Sequence, residues 1–344
     1  MSTALLEPAS AATFVRADRL ARAPRDRRAT IAALIVTHDR LALLRRAIEA
    51  TLAQDVDAVL VVDNASSDGT AAWLASIDDP RLRVERLADN RGGAGGFEHG
   101  MRRLCADPSI DWMVCFDDDA HPQRDAIAAF RAAVVPDDVG AVAAAVYLPD
   151  GRICEMNRPS CNPFATLGRV LRLAVGSGRS AFHIRDEAYA RATPIDVECT
   201  SFVGYFLRAA VARSIGYPRG ELFIYADDVL YSYAVTCSGA RTWFLPGVRF
   251  VHDCASVAGD RPVYLPLWKA YYTYRNGLIM YRRFAGWLFA PVAVAKLMTW
   301  ALRARRYPSR AAYLRVLLAA AGDGLAGRLG RRFDEVRRLA EDAA

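Results

Sequence analysis

From Ile31 onward the chain alternates short, continuously apolar runs with stretches of helical period, and that alternation leaves few folds open. Residues 31–37 (IAALIVT) are predicted as a strand buried on both faces, and 41–53 as a helix with one apolar side. A second strand is expected over 58–62 (AVLVV), a second helix over 70–77, a weaker strand over 82–86 and a third helix over 97–105. Residues 111–116 (DWMVCF) form the next expected strand, followed by a helix over 123–135 and a strand over 139–146. Apolar strands that need cover on both sides, spaced by amphipathic helices, predict an α/β fold with a doubly wound, mostly parallel sheet. Such sheets bind ligands beyond the carboxyl ends of their strands. The polar residues that follow each apolar run are therefore the candidates for function.

Beyond this alternation, 149–200 breaks into Gly, Pro, Asn and Arg, a loop-rich stretch of a length more often functional than not. Regularity returns with a strand over 201–207, helices from Ala209 and over 227–238, and short strands at 242–245 and 248–251. The expected division is an arm over 1–30, a catalytic domain over 31–260 split near 148, and a basic helical region over 261–344. The first thirty residues contain no apolar core of signal-peptide length, so secretion is not expected. Seven cysteines (105, 115, 154, 161, 199, 237 and 254) make no CxxC pair and no zinc spacing, and read as reduced thiols of a cytosolic protein. The net charge of +7 is carried by arginine, since Lys269 and Lys296 are the only lysines. Residues 278–302 are rich in Leu, Phe, Trp, Ala and Val but are interrupted by Arg282, Arg283, Pro291 and Lys296, so they do not read as a clean membrane span. Arg303, Arg305, Arg306, Arg310 and Arg315 follow. The region suits either an interfacial helix on an anionic membrane or an internal packing or oligomer contact.

The strongest chemical signal is Asp117-Asp118-Asp119 after the strand at 111–116. Adjacent carboxylates repel unless a cation answers them, and Mg²⁺ or Mn²⁺ takes carboxylates together with substrate phosphates. The run is thus a metal–diphosphate site or a solvated acidic turn capping the next helix. Asp63, ending the strand at 58–62, can accept from a base or ribose, whereas Asp68 in the following SSDGT reads as turn and helix-cap chemistry. Asn90-Arg91-Gly92-Gly93-Ala94-Gly95-Gly96-Phe97 leads into a helix, where bare backbone can approach an anion. Asp227-Asp228 opens another helix and is read as either N-terminal charge or a general base. His252, at the end of an apolar strand, is placed to complete a metal shell.

Taken in order, Thr37-His38-Asp39-Arg40, VVDNASSDGT, NRGGAGGF, FDDD and LFIYADD with a late histidine resemble the family 2 glycosyltransferases of the GT-A fold. The similarity runs from Ile31 to His252, and with Tyr274-Arg275-Asn276 it is nearest to the bacterial galactofuranosyltransferases. The resemblance implies that Thr37, Asp39, Arg40 and Asp63 hold uridine, with Asn90 and Gly93 near the nucleotide. It implies that Asp117-x-Asp119 is the metal motif, with Asp118 beside the donor and Asp119, Asp117 and His252 on a Mn²⁺ or Mg²⁺ ion. Asp228 would be the catalytic base and Asp227 its acceptor-binding neighbour. Phe202, Gly204 and Tyr205 stand where relatives carry acceptor-packing tryptophans, and Tyr233-Ala234 replaces an arginine common after the base.

The expected activity is inverting transfer of galactofuranose from its UDP sugar to a glycan or lipid-linked acceptor in cell-envelope polysaccharide synthesis. The expected location is cytoplasmic, peripheral on the inner face of the membrane. A homo-oligomer stays open, and no nucleic-acid partner is expected. The alternatives are a rhamnosyltransferase using a dTDP sugar, a nicotinamide dehydrogenase, for which the first strand lacks its glycine fingerprint, and a non-catalytic membrane-associated module.

Overall fold

The computed structural model describes residues 28–176, 178–254 and 263–341. The expected arm over 1–30 lies outside them apart from Arg28, Ala29 and Thr30. The chain runs β1 (Ile31–Thr37), α1 (Leu41–Leu52), β2 (Ala58–Asp63), α2 (Thr70–Leu74), β3 (Leu82–Arg86), α3 (Gly92–Cys105) and β4 (Trp112–Asp117). It continues with β5 (Ala120–Pro122), α4 (Ala126–Ala132), β6 (Val139–Tyr147), α5 (Leu167–Ala174), β7 (Ile195–Val197) and β8 (Tyr205–Arg208). Then follow α6 (Ala209–Ile215), α7 (Asp227–Cys237), β9 (Arg241–His252), α8 (Trp268–Ala285), α9 (Phe289–Leu302), α10 (Arg310–Ala326) and α11 (Phe333–Glu341).

The strands form one sheet in the order β3-β2-β1-β4-β8-β6-β9-β5, with β7 also paired to β9. β3, β2, β1, β4, β6 and β9 point one way, while β8, β5 and β7 oppose them, so the sheet is mostly parallel. The unbroken apolar run of β1 has a direct cause. Ile31, Ala33 and Ile35 join the core on one face, and Ala32, Leu34 and Val36 the core on the other.

Three sequence expectations shift. Helix α3 starts at Gly92, not Phe97, so the glycine run lies inside the helix. Glycine is a poor helix former, by about 1 kcal/mol per residue against alanine. Here packing overrides propensity: a Cβ on Gly96 would overlap Val36, and one on Gly100 would overlap Leu34, so the bare helix face rests directly on β1. The strand expected over 201–207 begins only at Tyr205, because Gly204 turns the chain at φ +66°. The short strands at 242–245 and 248–251 are two halves of β9, whose register with β6 slips between Ala144 and Ala145. Pro246, lacking an N–H for the ladder, lies at that irregularity. Asp68 performs cap chemistry for two helices at once. It accepts from the Leu41 N–H of α1 at 2.9 Å and from the Thr70 hydroxyl of α2 at 2.6 Å.

Register gathers the polar strand ends on one rim. Thr37 pairs with Asp63, Val36 with Asp117, and Ala120 with His252. Beside that rim α8 packs against α10 around Tyr271, Tyr272, Tyr274, Trp300 and Tyr313. The segment Trp268–Arg306, in which an 18-residue window has mean hydropathy 1.4, is long and apolar enough to cross a membrane by length and composition alone. Gly286, at φ 53° and ψ −121°, breaks it into α8 and α9.

The α3–β1 contact generates a test. Gly100→Val forces a branched side chain into Leu34 and is expected to destabilise the protein by about 1–3 kcal/mol, read as a lower urea midpoint at unchanged slope.

Candidate active site

The acidic run is held by the end of β1 and the loop that follows it. Thr37 Oγ1 donates to Asp118 Oδ2 at 2.8 Å, and the Arg40 guanidinium reaches Asp118 Oδ1 at 3.2 Å and Asp119 Oδ2 at 2.8 Å. Because β5 pairs with the end of β9, His252 Nε2 lies 3.0 Å from Asp119 Oδ1. Burial, then Asp119, pushes the Asp117 carboxyl up to about 7 against the pull of His252. Burial likewise lifts Asp118 to about 6, opposed by Arg40. Burial works against charge on both Asp119 and His252, yet their mutual hydrogen bond wins: Asp119 stays below its ordinary value and His252 rises to about 10. Carboxylate oxygens with one imidazole nitrogen form a donor set suited to a hard divalent cation. Asp119 and His252 meet directly, and Asp117 at the end of β4 lies near enough for the charges of both to act on it.

The next cluster surrounds Asp63, which is fully buried at the end of β2. Its Oδ1 accepts from the Ser66 N–H at 2.9 Å, whereas Oδ2 takes no hydrogen bond and has only the Arg86 guanidinium 3.5 Å away. Asp39, at φ +52°, accepts from the Ser67 N–H at 2.6 Å and so braces the β1 loop against the β2 loop. Asn64 ties β2 to the start of α3, donating to Gly92 O at 2.8 Å and accepting from the Arg91 N–H at 2.9 Å. Asn90 Oδ1 accepts from the Gly92 N–H at 2.8 Å. Gly93 stands apart within its run: a Cβ there would meet nothing within 4 Å, so its backbone faces open space at a helix N-terminus.

The carboxylates of α7 follow a strained loop. Phe223, Tyr225 and Ala226 have φ of +66°, +71° and +62°, a region that non-glycine residues rarely occupy. Two fully buried residues of α8 hold it there. Asn276 Nδ2 donates to Leu222 O at 3.0 Å, Ile224 O at 2.8 Å and Tyr225 O at 2.9 Å. Arg275 donates to Glu221 O at 3.0 Å and Leu222 O at 2.9 Å, and its guanidinium lies over the Tyr271 and Tyr272 rings. Phe223 O accepts in turn from the Ala94 N–H of α3 at 3.1 Å, joining this loop to the Asn64 cluster. Burial lifts Asp228 to about 6, tempered by the backbone N–H groups of Val229 and Phe202. Burial and then Asp228 hold Asp227 well above the carboxylate range. The pair is therefore pushed apart, with Asp227 held the higher of the two.

Three expected acceptor residues face elsewhere. Phe202 and Tyr205 are buried in the core, where Phe202 meets Phe97 at 4.9 Å and the Tyr205 hydroxyl finds no partner. Gly204 lies against Ala144 and Phe250. None of the three offers a side chain to the rim. The positioning residues Asn64, Arg275 and Asn276 were not picked out as site residues. The Asn64 side chain beside Asp63 and the polar Arg-Asn pair inside an apolar helix were the signals available.

Residues 32–208, more than half of the chain, match the family model of Glycosyl transferase family 2. The chain belongs to this family. Among curated proteins this family 2 glycosyltransferase is 24% identical over 257 residues to the galactofuranosyltransferase GlfT1 of Mycolicibacterium smegmatis, covering 72% of this chain and 81% of the relative. A shorter match, 47% identical over 58 residues, is to the succinoglycan biosynthesis protein ExoO of Rhizobium meliloti, covering 16% of this chain and 17% of the relative. Among solved structures, the mannosyltransferase PcManGT from Pyrobaculum calidifontis, in complex with GDP-Man and Mn²⁺, aligns with TM-score 0.50 at 18% identity, covering 87% of this chain and 88% of its own. GalNAc-T7 with UDP, GalNAc and Mn²⁺ aligns with TM-score 0.52 at 11% identity over 74% of this chain, which spans about half (51%) of that longer protein. The fold is that of the GT-A glycosyltransferases.

Asn276→Ala removes three hydrogen bonds from a loop that cannot hold its backbone alone. The expected loss is about 2–4 kcal/mol of stability, together with a transferase rate that falls further than the folded fraction does, both measured on one preparation.

Proposed function

We propose that this family 2 enzyme transfers galactofuranose from UDP-galactofuranose to a hydroxyl of a glycan or lipid-linked acceptor, by a single inverting displacement that depends on a divalent cation. The carrying observation is the shared rim on which Asp119 and His252 meet, near enough to Asp228 for its charge to raise Asp117. The galactofuranosyl donor is supported by the likeness to GlfT1. The cation is supported by the donor set and by the Mn²⁺ in the GalNAc-T7 and PcManGT complexes.

In this proposal the buried Oδ2 of Asp63, which takes no hydrogen bond, accepts from the nucleotide base, and the Asp39 brace with Thr37 and Arg40 shapes the loop around it. Asn90 and Gly93 bring free backbone to the nucleotide, while Asp118 sits beside the donor. Asp117, Asp119 and His252 hold the cation, Mn²⁺ or Mg²⁺, which when bound would neutralise charge gathering on the departing diphosphate. Asp228 takes the acceptor hydroxyl proton as the new C–O bond forms at the anomeric carbon and the sugar–phosphate bond breaks. Asp227, protonated beside it, donates to the acceptor. This division fits a buried Asp227 beside a half-buried Asp228.

A panel of nucleotide sugars assayed with Mn²⁺ should show transfer or slow hydrolysis with UDP-galactofuranose, lost in EDTA. Turnover of a dTDP sugar alone would overturn the donor assignment. Asp228→Asn should lower transfer about 10²–10⁴-fold with UDP binding retained, and undiminished transfer would refute the base. The base must be ionised to accept a proton, so wild-type transfer should decline as pH falls through about 6.

The basic C-terminal region is proposed to lie on the cytoplasmic face of a membrane. Val294, Met298 and Leu302 recur every four residues on α9, share a face, and are 58%, 64% and 62% exposed, with Trp287 at 88%. Exposed Arg305, Arg306 and Arg310 follow. With 14 residues, α9 spans about 21 Å at 1.5 Å per residue, short of a hydrocarbon core of about 30 Å. Lying in the interface fits it better than spanning. Flotation with anionic but not neutral liposomes is expected, and Met298→Glu should abolish it. Absence of the protein from both lipid fractions would refute the reading.

A further inference from the structure

Cys154 and Cys254 are separated by 100 positions, yet the structure brings them to the same histidine. Cys154 lies in the turn that returns to β6, its N–H donating to Val146 O at 3.0 Å, while Cys254 follows the end of β9. Their sulfurs are 3.8 Å apart, and Cys154 Sγ is 4.0 Å from His252 Nδ1. All three ligand atoms fall within 4.8 Å of one another. Around a tetrahedral Zn²⁺, with Zn–S of about 2.3 Å and Zn–N of about 2.0 Å, neighbouring ligand atoms stand about 3.5–3.8 Å apart. The sulfur pair already has that spacing, and the Cys154–His252 side is about 0.5 Å longer than a tetrahedral S–N edge.

We propose that Cys154, Cys254 and His252 Nδ1 form a second metal site, selective for a thiophilic cation such as Zn²⁺, back to back with the Asp119 site. Thiolates favour soft and borderline ions, whereas the carboxylate rim favours hard ones. The other ring nitrogen completes the arrangement. A metal-binding histidine commonly donates its second N–H to a carboxylate, and His252 Nε2 is 3.0 Å from Asp119 Oδ1. Binding forms two metal–sulfur bonds and one metal–nitrogen bond. It releases both S–H protons and the Nδ1 proton to solvent and ends the contact of Nδ1 with Asn157 Oδ1, now 2.7 Å. Cys254 is half-buried, which leaves a fourth position to water.

One imidazole cannot serve both ions as separate ligands without losing its Nε2 proton. A thiophilic ion at Nδ1 keeps that proton in place, directed at Asp119, and removes His252 from the shell of the hard cation. The second site therefore inhibits transfer. Ion binding stands independently of the glycosyltransferase mechanism, while the inhibition rests on the proposed role of His252.

Titration of the full-length chain with Cd²⁺, followed by the ultraviolet thiolate-to-metal charge-transfer band, tests the site. The wild type should saturate at a single equivalent, and the band should be lost in Cys254→Ser and in Cys154→Ser. Because Cys154 is buried, the half-buried Cys254→Ser is the decisive variant. No band in the wild type, or an undiminished band in Cys254→Ser, overturns the proposal. In the transfer assay with Mn²⁺, added Zn²⁺ should abolish wild-type activity and spare Cys254→Ser. Equal inhibition of both would overturn the inhibitory role. A chain inactive with every donor would refute the transferase reading and leave the Cd²⁺ result standing.

Discussion

Everything at the functional rim answers one electrostatic problem, that of keeping Asp117, Asp118, Asp119, Asp227 and Asp228 within reach of each other's fields under low exposure. Like charges in a poorly solvated site cannot all ionise, and burial is the leading cause of the raised values at Asp117, Asp118, Asp227 and Asp228. The fold answers with fixed groups of graded strength. Arg40 and Thr37 serve Asp118, His252 serves Asp119, and backbone N–H groups serve Asp228. Asp117 and Asp227 receive the weakest answers and sit highest. The repulsion left standing at Asp117 is what the proposed cation would relieve.

The second constraint is mechanical. Three departures from ordinary backbone geometry within four residues, at Phe223, Tyr225 and Ala226, are not stable in an isolated loop. Asn276 satisfies three carbonyls from one amide nitrogen, and Phe223 stacks on Tyr272 and Phe333 with ring centroids 4.8 Å away in each case. The helices after His252 therefore do more than append a surface to the sheet. They set the angle at which α7 presents its carboxylates, and through Phe223 O and Ala94 they align that loop with the start of α3. The α7 loop and the start of α3 share this backbone contact, which couples loss of the clamp to both.

The parts of the fold visible in the sequence were those set by local pattern. Buried strands such as β1, β2 and β6 announce themselves because both of their faces must be apolar. The rim carboxylates were visible because strand ends are where ligands collect. Long-range packing was not visible. Gly96 reads as part of a ligand loop and Gly100 as an ordinary helix position, but the lack of a side chain at each serves the contact with Val36 and Leu34. Phe202 and Tyr205 looked like an acceptor platform because aromatic residues do both jobs, and only the observed burial separates them. Arg275 and Asn276 could be noticed as an odd polar pair, but their partners lie more than fifty positions away, which no local pattern encodes.

His252 shows how a single register decision shapes several properties at once. Pairing Ala120 with His252 places Nε2 on Asp119, while Nδ1 turns toward Asn157 and the Cys154 sulfur. Slipping that short strand pair by one residue would point the imidazole to the opposite face. The hard-ligand rim would then lose its nitrogen, and the two cysteines would be left as an isolated thiol pair. The three-residue β5 is thus under stronger constraint than its length suggests. It fixes which side of one ring meets oxygen and which meets sulfur, and the chemistry available at the rim follows from that orientation.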